Sequence, residues 1–204
     1  MLACVAVLAL ASTWSATPAG DVWVYPHSST PGGEPFLRVW GDGSTAIDTT
    51  VPPGDAFSHG YVNFALKELP KGELKSAKLV VWNIPNPELT VDAIKAAPLE
   101  AFGLKGTFKE DTFSFTDTKC GPEKPSFGKS VGEKTETGIK LTIDLMDEKG
   151  AFKKYVEDAR SSGVLYLALV TAMSPADSRG MIYKINSKEA AEKDRPLLTL
   201  EFAD

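Results

Sequence analysis

Cysteine and histidine are scarce in this sequence, which limits the metal and nucleophilic chemistry open to it. Two cysteines and two histidines occur among 204 residues. A structural zinc site needs three or four cysteine, histidine or carboxylate ligands, and a serine triad needs a nucleophile beside an oriented histidine. His27 and His59 both occur in loop-like contexts, and no G-x-S-x-G motif is present. We therefore expect a protein that is not an enzyme.

Positive charge is not in excess, since the formal net charge is −5. A nucleic-acid-binding face needs clustered lysine and arginine to neutralise phosphates. Here the lysines alternate with acidic residues, as they do in 148–157. Glycine-rich loops of the kind that cradle phosphates are absent as well. We expect neither nucleic acid nor an anionic membrane surface as a general partner.

Long hydrophobic runs are missing except at the N-terminus. Residues 1–16 read MLACVAVLALASTWSA, which is too short to cross a bilayer but is typical of the apolar part of a secretory signal. We expect cleavage after Ala16 or Ala19. The signal peptide would then cover 1–19, leaving a secreted or cell-surface domain over 20–204 with no transmembrane segment. The alternative is that this segment is a strand or helix buried in the fold.

The two cysteines do not predict a disulfide. Cleavage at either expected site removes Cys4 and leaves Cys120 alone, and a lone thiol forms no internal bridge. Leu2-Ala3-Cys4 is similar to the end of a lipoprotein processing site, although the apolar stretch follows the cysteine here instead of preceding it. Lipidation of Cys4 stays open as an alternative to ordinary cleavage.

Most of the remaining sequence consists of short segments of period-two hydrophobicity separated by turn signals. This pattern predicts an all-β, jelly-roll-like sandwich of about nine or ten antiparallel strands. Residues 120–128 carry two prolines and are expected to be loop. The expected strands cover 21–25, 36–40, 59–69, 74–83, 112–115, 138–145, 164–171, 180–185 and 196–202, with 89–94 as a less regular addition.

One segment, 147–161, has helical rather than alternating periodicity. Asp147 is a suitable N-terminal cap. Phe152 and Val156 lie four positions apart on an apolar stripe. Gly163 is expected to end the helix. The sequence thus predicts a single short helix on an otherwise β-structured domain.

Four stretches of the sequence, in order, have the pattern of a known family. The third stretch contains the strands on either side of the expected helix. The fourth contains a Ser-Lys-Glu turn and the last expected strand. The stretches are YVNFAL and LPKGELKSAKL (61–66 and 69–79), FKEDTFSF (108–115), IDL and GVLYLAL (143–145 and 163–169), and IYKINSKE and RPLLTL (182–189 and 195–200). Together they resemble the DNRLRE-type β-sandwich family, which includes modules classed as carbohydrate-binding family 96.

The resemblance implies a sandwich found outside the cell, often attached to polysaccharide-degrading enzymes or surface proteins. Some relatives bind alginate-like acidic polysaccharides. The chain departs from the family pattern in several places. Phenylalanine replaces both tryptophans of the family motif in the second stretch, 108–115. Asn63 stands near the place of a family arginine, and Lys188 replaces the arginine of the closing motif.

An acidic polysaccharide would require basic and aromatic side chains on one surface. Trp40 follows a strand and borders a loop, so it is expected to be the exposed tryptophan, whereas Trp23 and Trp82 are expected in the core. The basic candidates are Arg38, Lys67, Lys75 and Lys78. Calcium is possible at Asp42, Ser44 and Asp48, whose oxygens lie in one turn-rich loop, although the same residue types also favour turns without any ion.

The sequence thus predicts a secreted, monomeric, non-catalytic carbohydrate-binding module, with an acidic polysaccharide as the expected partner. The alternative is a structural or adhesion domain of the cell envelope or extracellular matrix. This alternative arises because nearly all of the sequence is one domain with no catalytic unit attached.

Overall fold

The computed structural model describes residues 11–25, 28–31, 34–41, 57–104, 106–113, 122–173 and 182–203. Within these ranges the chain forms twelve strands and two α-helices. The strands are β1 Ala11–Ala16, β2 Gly20–Tyr25, β3 Ser28–Pro31, β4 Phe36–Val39, β5 His59–Ala65, β6 Glu73–Asn83, β7 Leu99–Leu104, β8 Pro122–Thr135, β9 Gly138–Asp144, β10 Val164–Thr171, β11 Tyr183–Asn186 and β12 Leu197–Ala203. The helices are α1 Val91–Ala96 and α2 Ala151–Ser162, and a 3₁₀ turn covers Glu192–Asp194.

The strands form an antiparallel sandwich of two layers. One layer has the order β3-β2-β5-β10-β7. The other has the order β1-β12-β6-β9, with β11 paired to β6 and β4 paired to β11. Buried residues of both layers meet in one main core, which includes Phe64 and Leu167 from the first layer and Leu79 and Leu141 from the second. The predicted all-β sandwich is therefore confirmed.

Strand β8 belongs to both layers. Lys129 pairs with Glu100 of β7, whereas Ser130, the next residue, pairs with Ile143 of β9. At this crossing a Cβ on Gly128 would lie 1.9 Å from the carbonyl oxygen of Asp144, a separation that only glycine avoids. The prediction of loop over 120–128 is wrong for 122–128, because the two prolines lie in a strand that changes layers.

In the segment 89–94, expected as strand, residues 91–94 lie in helix α1 instead. Thr90 caps the helix, because its hydroxyl oxygen accepts a hydrogen bond from the Ala93 amide at 3.1 Å. Ile94 is buried and faces Gly132 of β8. The apolar spacing of the segment fits a strand or a single helical turn, and the cap together with the contact to β8 decides between them.

The short strand expected at 112–115 is absent at residues 112 and 113, the two of its residues that the structure describes. Thr112 lies in a turn, and its amide donates to the Lys109 carbonyl at 3.2 Å. Phe108 and Phe113 fold over the outer side of the first layer, where both rings contact Tyr61 of β5. Residues 114 and 115 lie outside the described ranges.

The predicted helix is present as α2, but it begins at Ala151 instead of at 147, with Gly150 as its N-cap residue, whereas the predicted end at Gly163 is confirmed. The Asp147 carboxylate accepts hydrogen bonds from the amides of Lys149, Ala151 and Phe152 at 2.7–3.1 Å. Gly163 adopts the left-handed conformation with φ of 70° and closes the last turn. Neither helix in the described part of the chain has the length and apolar character needed to cross a bilayer.

Candidate functional site

Trp40 is not the exposed tryptophan that the sequence predicts. Only 9% of its surface is accessible, and its ring centroid lies 6.3 Å from that of Trp23. Its amide and carbonyl both bond to Ser58, at 3.0 and 2.7 Å, and this bridge holds Trp40 against the sheet. Arg38 lies beside this pair, with its guanidinium 5.5 Å from the Trp23 ring centroid.

The predicted lysines do not gather around Arg38. Lys67 lies in the turn after β5. Lys75 forms an ion pair with Glu73, whose carboxylate also pairs with Lys153 of α2. Lys78 is exposed on β6. The calcium candidates Asp42, Ser44 and Asp48 lie outside the described residues, so that site stays a prediction.

Trp82, which was expected in the core, lies on the outer surface of β6. Its chain neighbours Val81 and Asn83 point inward and are 0% and 1% exposed, whereas Trp82 itself is half-buried. Because side chains alternate along a strand, Trp82 shares the outer surface with Val80 and Lys78. We call this surface the Trp82 face and define it by Lys78, Val80, Trp82, Val131, Glu133, Lys140, Thr142, Asp144, Leu197 and Thr199.

Two rows of side chains cross the Trp82 face. In the first row, Lys140 of β9 pairs with Trp82 on one side and with Glu133 of β8 on the other. In the second row, the four-strand sequence Leu197–Val80–Thr142–Val131 follows from the register of β12, β6, β9 and β8. Directly opposed side chains have Cβ atoms about 5 Å apart. The first row therefore places a basic side chain within reach of the indole.

The chemistry of the Trp82 face combines stacking with charge. A partly exposed indole can stack on the C–H face of a sugar ring. Among the ion pairs of the described residues, none involves Lys78 or Lys140. Asp144 lies opposite Lys78 and Glu133 lies opposite Lys140, so the face carries two acidic and two basic side chains. The alternation of β6 in the sequence already placed Trp82 with Lys78, and this was the signal that could have identified it.

A second group of polar residues forms a cluster at the edge of β2. This carboxylate–lysine cluster consists of Asp21, Glu110, Lys188 and Glu189. The Lys188 ammonium lies 3.1 Å from a Glu110 oxygen and 2.5 Å from a Glu189 oxygen. The Lys188 amide donates to Asp21 at 2.7 Å, and the Asp21 amide donates to Glu110 at 3.3 Å. The cluster thereby joins β2 to the 106–113 segment and the turn after β11.

Burial and hydrogen bonds together set the pKa values of the cluster. Asp21 is 2% exposed, and this burial raises the pKa of its carboxyl to about 7 against the opposing hydrogen bond from Lys188. Burial also opposes ionisation of Glu189, but hydrogen bonds from Lys188 and Ser187 outweigh it and lower the pKa. The pKa of Lys188 is raised, chiefly by its hydrogen bond to Glu189.

The cluster is a structural clamp rather than a binding site. One oxygen each of Asp21, Glu110 and Glu189 lie within 4.8 Å of one another, close enough to hold a single cation. The Lys188 ammonium already pairs with both glutamates, however, and offsets one of their two negative charges. Burial also raises the pKa of Asp21 to about 7, which disfavours its ionised form. Glu110 and Ser187-Lys188-Glu189 belong to two of the stretches that resemble the DNRLRE-type family, and the fold brings those stretches together here.

A groove of about 490 Å³ runs between α2 and the start of β6. Leu74, Val156 and Phe202 contribute apolar surface, and the Arg160 guanidinium lies over the Phe202 ring at 5.3 Å. The charged residues along the groove pair with one another as Glu73–Lys153, Lys154–Asp158 and Glu157–Arg160. Because these charged side chains already pair with one another, the groove is a weaker candidate for a ligand site than the Trp82 face.

No family model matches the chain, and no curated protein shows significant similarity to it.

Proposed function

We propose that this chain is a non-catalytic carbohydrate-binding module that holds an acidic polysaccharide on the Trp82 face. The observation that carries the proposal is the pairing of Trp82 with Lys140 on the solvent side of neighbouring strands. The indole supplies an apolar stacking surface for a sugar ring. The lysine supplies a cation for a ring carboxylate or sulfate.

The neighbouring residues support the same assignment. Lys78 lies on the strand of Trp82, four residues away on the same side, so a second ammonium is available along β6. Val80 and Thr142 add apolar atoms between the two lysines. A chain of sugars could therefore meet alternating apolar and cationic positions. The resemblance of four stretches to the DNRLRE-type family, some of whose members bind acidic polysaccharides, favours the same ligand class and an extracellular location.

The proposal is tested by native electrophoresis of the whole chain through gels that contain a dissolved polysaccharide. We expect retardation by a polyuronate such as alginate or polygalacturonate and little retardation by a neutral β-glucan at the same concentration. The retardation should weaken as salt is raised, since an ammonium–carboxylate contact at a surface is screened. Equal mobility in every gel at low salt would contradict the proposal.

A structural or adhesion role is the second candidate, because one observation favours it. Val131 is 74% exposed and ends the row Leu197–Val80–Thr142–Val131, in which Leu197 and Val80 are partly buried. Contiguous apolar surface is typical of sites that contact other proteins. Co-sedimentation with isolated envelope or matrix material tests this role. Binding lost in Val131→Glu but unchanged in Lys140→Gln would favour it over the polysaccharide.

A further inference from the structure

We infer that residues 11–16, although they lie within the expected signal peptide, are a permanent strand of the working domain, so that any processing of this chain leaves Trp14 in place. The inference concerns processing and does not depend on the proposed function.

The first support is the complete pairing of β1 with β12. Each of its six residues has a partner, from Ala11 opposite Ala203 to Ala16 opposite Leu198. The Ser15 and Thr199 hydroxyls are hydrogen-bonded at 3.1 Å across the pair. A segment destined for removal needs no such register. The strand also follows the alternation of a surface strand, with Ala11, Thr13 and Ser15 exposed and the residues between them half-buried.

The second support is the position of Trp14. Its side chain packs against the main core from the end of the second layer. Its indole Nε1–H donates to the Lys67 carbonyl at 2.9 Å, which ties β1 to the turn that follows β5 in the opposite layer. Trp14 thus joins the two layers at a point where β12 alone would leave the core less covered.

The third support is the continuity of the chain beyond β1. The Ala19 amide donates to the Asn63 carbonyl at 2.8 Å, and Gly20 then begins β2 in register with Asn63. Cleavage after Ala16 or Ala19 would therefore remove β1 entirely. It would also leave β12 as an unprotected edge strand, which proteins generally cover or blunt.

The test uses the full chain carrying a C-terminal tag, produced in a host that exports it, with the intact mass of the mature protein measured. We expect a mass that includes Trp14. A mature chain that begins at Thr17 or Gly20 would overturn the inference.

The same preparation allows a folding test that distinguishes a working strand from a passive extension. Trp14→Ala should lower the melting temperature by about 5 °C or more, whereas the matched change Thr13→Ala, on the exposed side of β1, should lower it by less than about 2 °C. Should Trp14→Ala fail to accumulate, Trp14→Phe supplies the measurement, with an expected loss between these two values. Equal melting temperatures for the Trp14 and Thr13 variants would refute the inference even if Trp14 were retained.

Discussion

Trp82 and Lys140 oppose each other across the β6–β9 ladder, on the side of the sheet that faces solvent. On the other face of each strand the neighbouring side chain is fully buried: Val81 in β6 and Leu141 in β9. The backbone that presents the pair is therefore fixed by the core. Changes to either side chain should alter binding much more than they alter folding.

The indole is the first part of the pair to test. Trp82→Ala should reduce affinity for a polyuronate about 10-fold or more, because stacking contributes on the order of 1 kcal/mol beyond the contact area itself. Trp82→Phe keeps an aromatic ring and should lose about 3-fold or less. Isothermal titration with a defined oligouronate gives both values. Equal affinity of wild type and Trp82→Ala, with both folded by circular dichroism, would place the ligand elsewhere.

Lys140 should contribute through its charge. Lys140→Gln is expected to weaken binding of the oligouronate about 5-fold at low salt and much less at 0.5 M salt, since the Debye length falls as salt increases. Lys149→Gln is the matched control, because Lys149 is exposed just before α2 and outside the Trp82 face. A loss of the same size in both variants would indicate general attraction rather than a site.

The crossing of β8 between layers depends on Gly128. Gly128→Ala should lower the free energy of unfolding by about 3 kcal/mol or more, because the new Cβ would overlap the Asp144 carbonyl and force the backbone apart. Gly150→Ala is the control. Gly150 has φ of 69° and no atom near its Cβ position, so its substitution should cost only about 1 kcal/mol. Urea denaturation measures both, and equal effects would show that the crossing tolerates a side chain.

Asp21 should make stability depend on pH. Its folded pKa of about 7 is higher than the unfolded value of 3.8, so folding favours the protonated carboxyl. The stabilisation that protonated Asp21 gives is complete below about pH 4 and is lost as pH rises to about 7. At higher pH the stability no longer depends on this group. Asn keeps the acceptor for the Lys188 amide without ionising. Relative to wild type, Asp21→Asn should therefore gain about 2–4 kcal/mol of stability between pH 4 and pH 8.

Denaturation of both proteins over that pH range supplies the comparison, with Asp111→Asn, at an exposed turn residue, as the control. A stability difference between wild type and Asp21→Asn that stays constant with pH would mean that Asp21 is ionised throughout. The carboxylate–lysine cluster would then hold its charges in a different arrangement from the one inferred here.

Local patterns in the sequence were sufficient for much of the fold. The alternation in β6 and β9 and the nearly continuous apolar run in β10 predicted those strands, and the apolar stripe and Gly163 predicted helix α2. The alternation in β6 also grouped Trp82 with Lys78, but the aromatic ring was assigned to the core because large aromatics usually fill it. The correct choice between Trp40 and Trp82 required knowing that Trp40 is bridged to Ser58, which no local pattern contains.

The remaining features depend on contacts between distant positions. Asp21, Glu110 and Lys188 are separated by 89 and 78 residues, so only the folded chain places them together. Strand β8 was missed because its prolines indicate loop, whereas its pairing with β7 and β9 depends on both neighbours being in place. The four residue stretches that resemble the DNRLRE-type family contained Glu110 and Lys188 but gave no indication that they meet.

Strands β1 and β2 stand far apart in the hydrogen-bonded order, yet only residues 17–19 separate them in the chain. The two layers are consequently connected in two places. Strand β8 pairs with both layers, and residues 17–19 link β1 of one layer covalently to β2 of the other. Two connections of this kind oppose sliding of one layer over the other. A polymer that settles on the protein surface would meet a stiff platform, with little of its binding energy consumed in reshaping the protein.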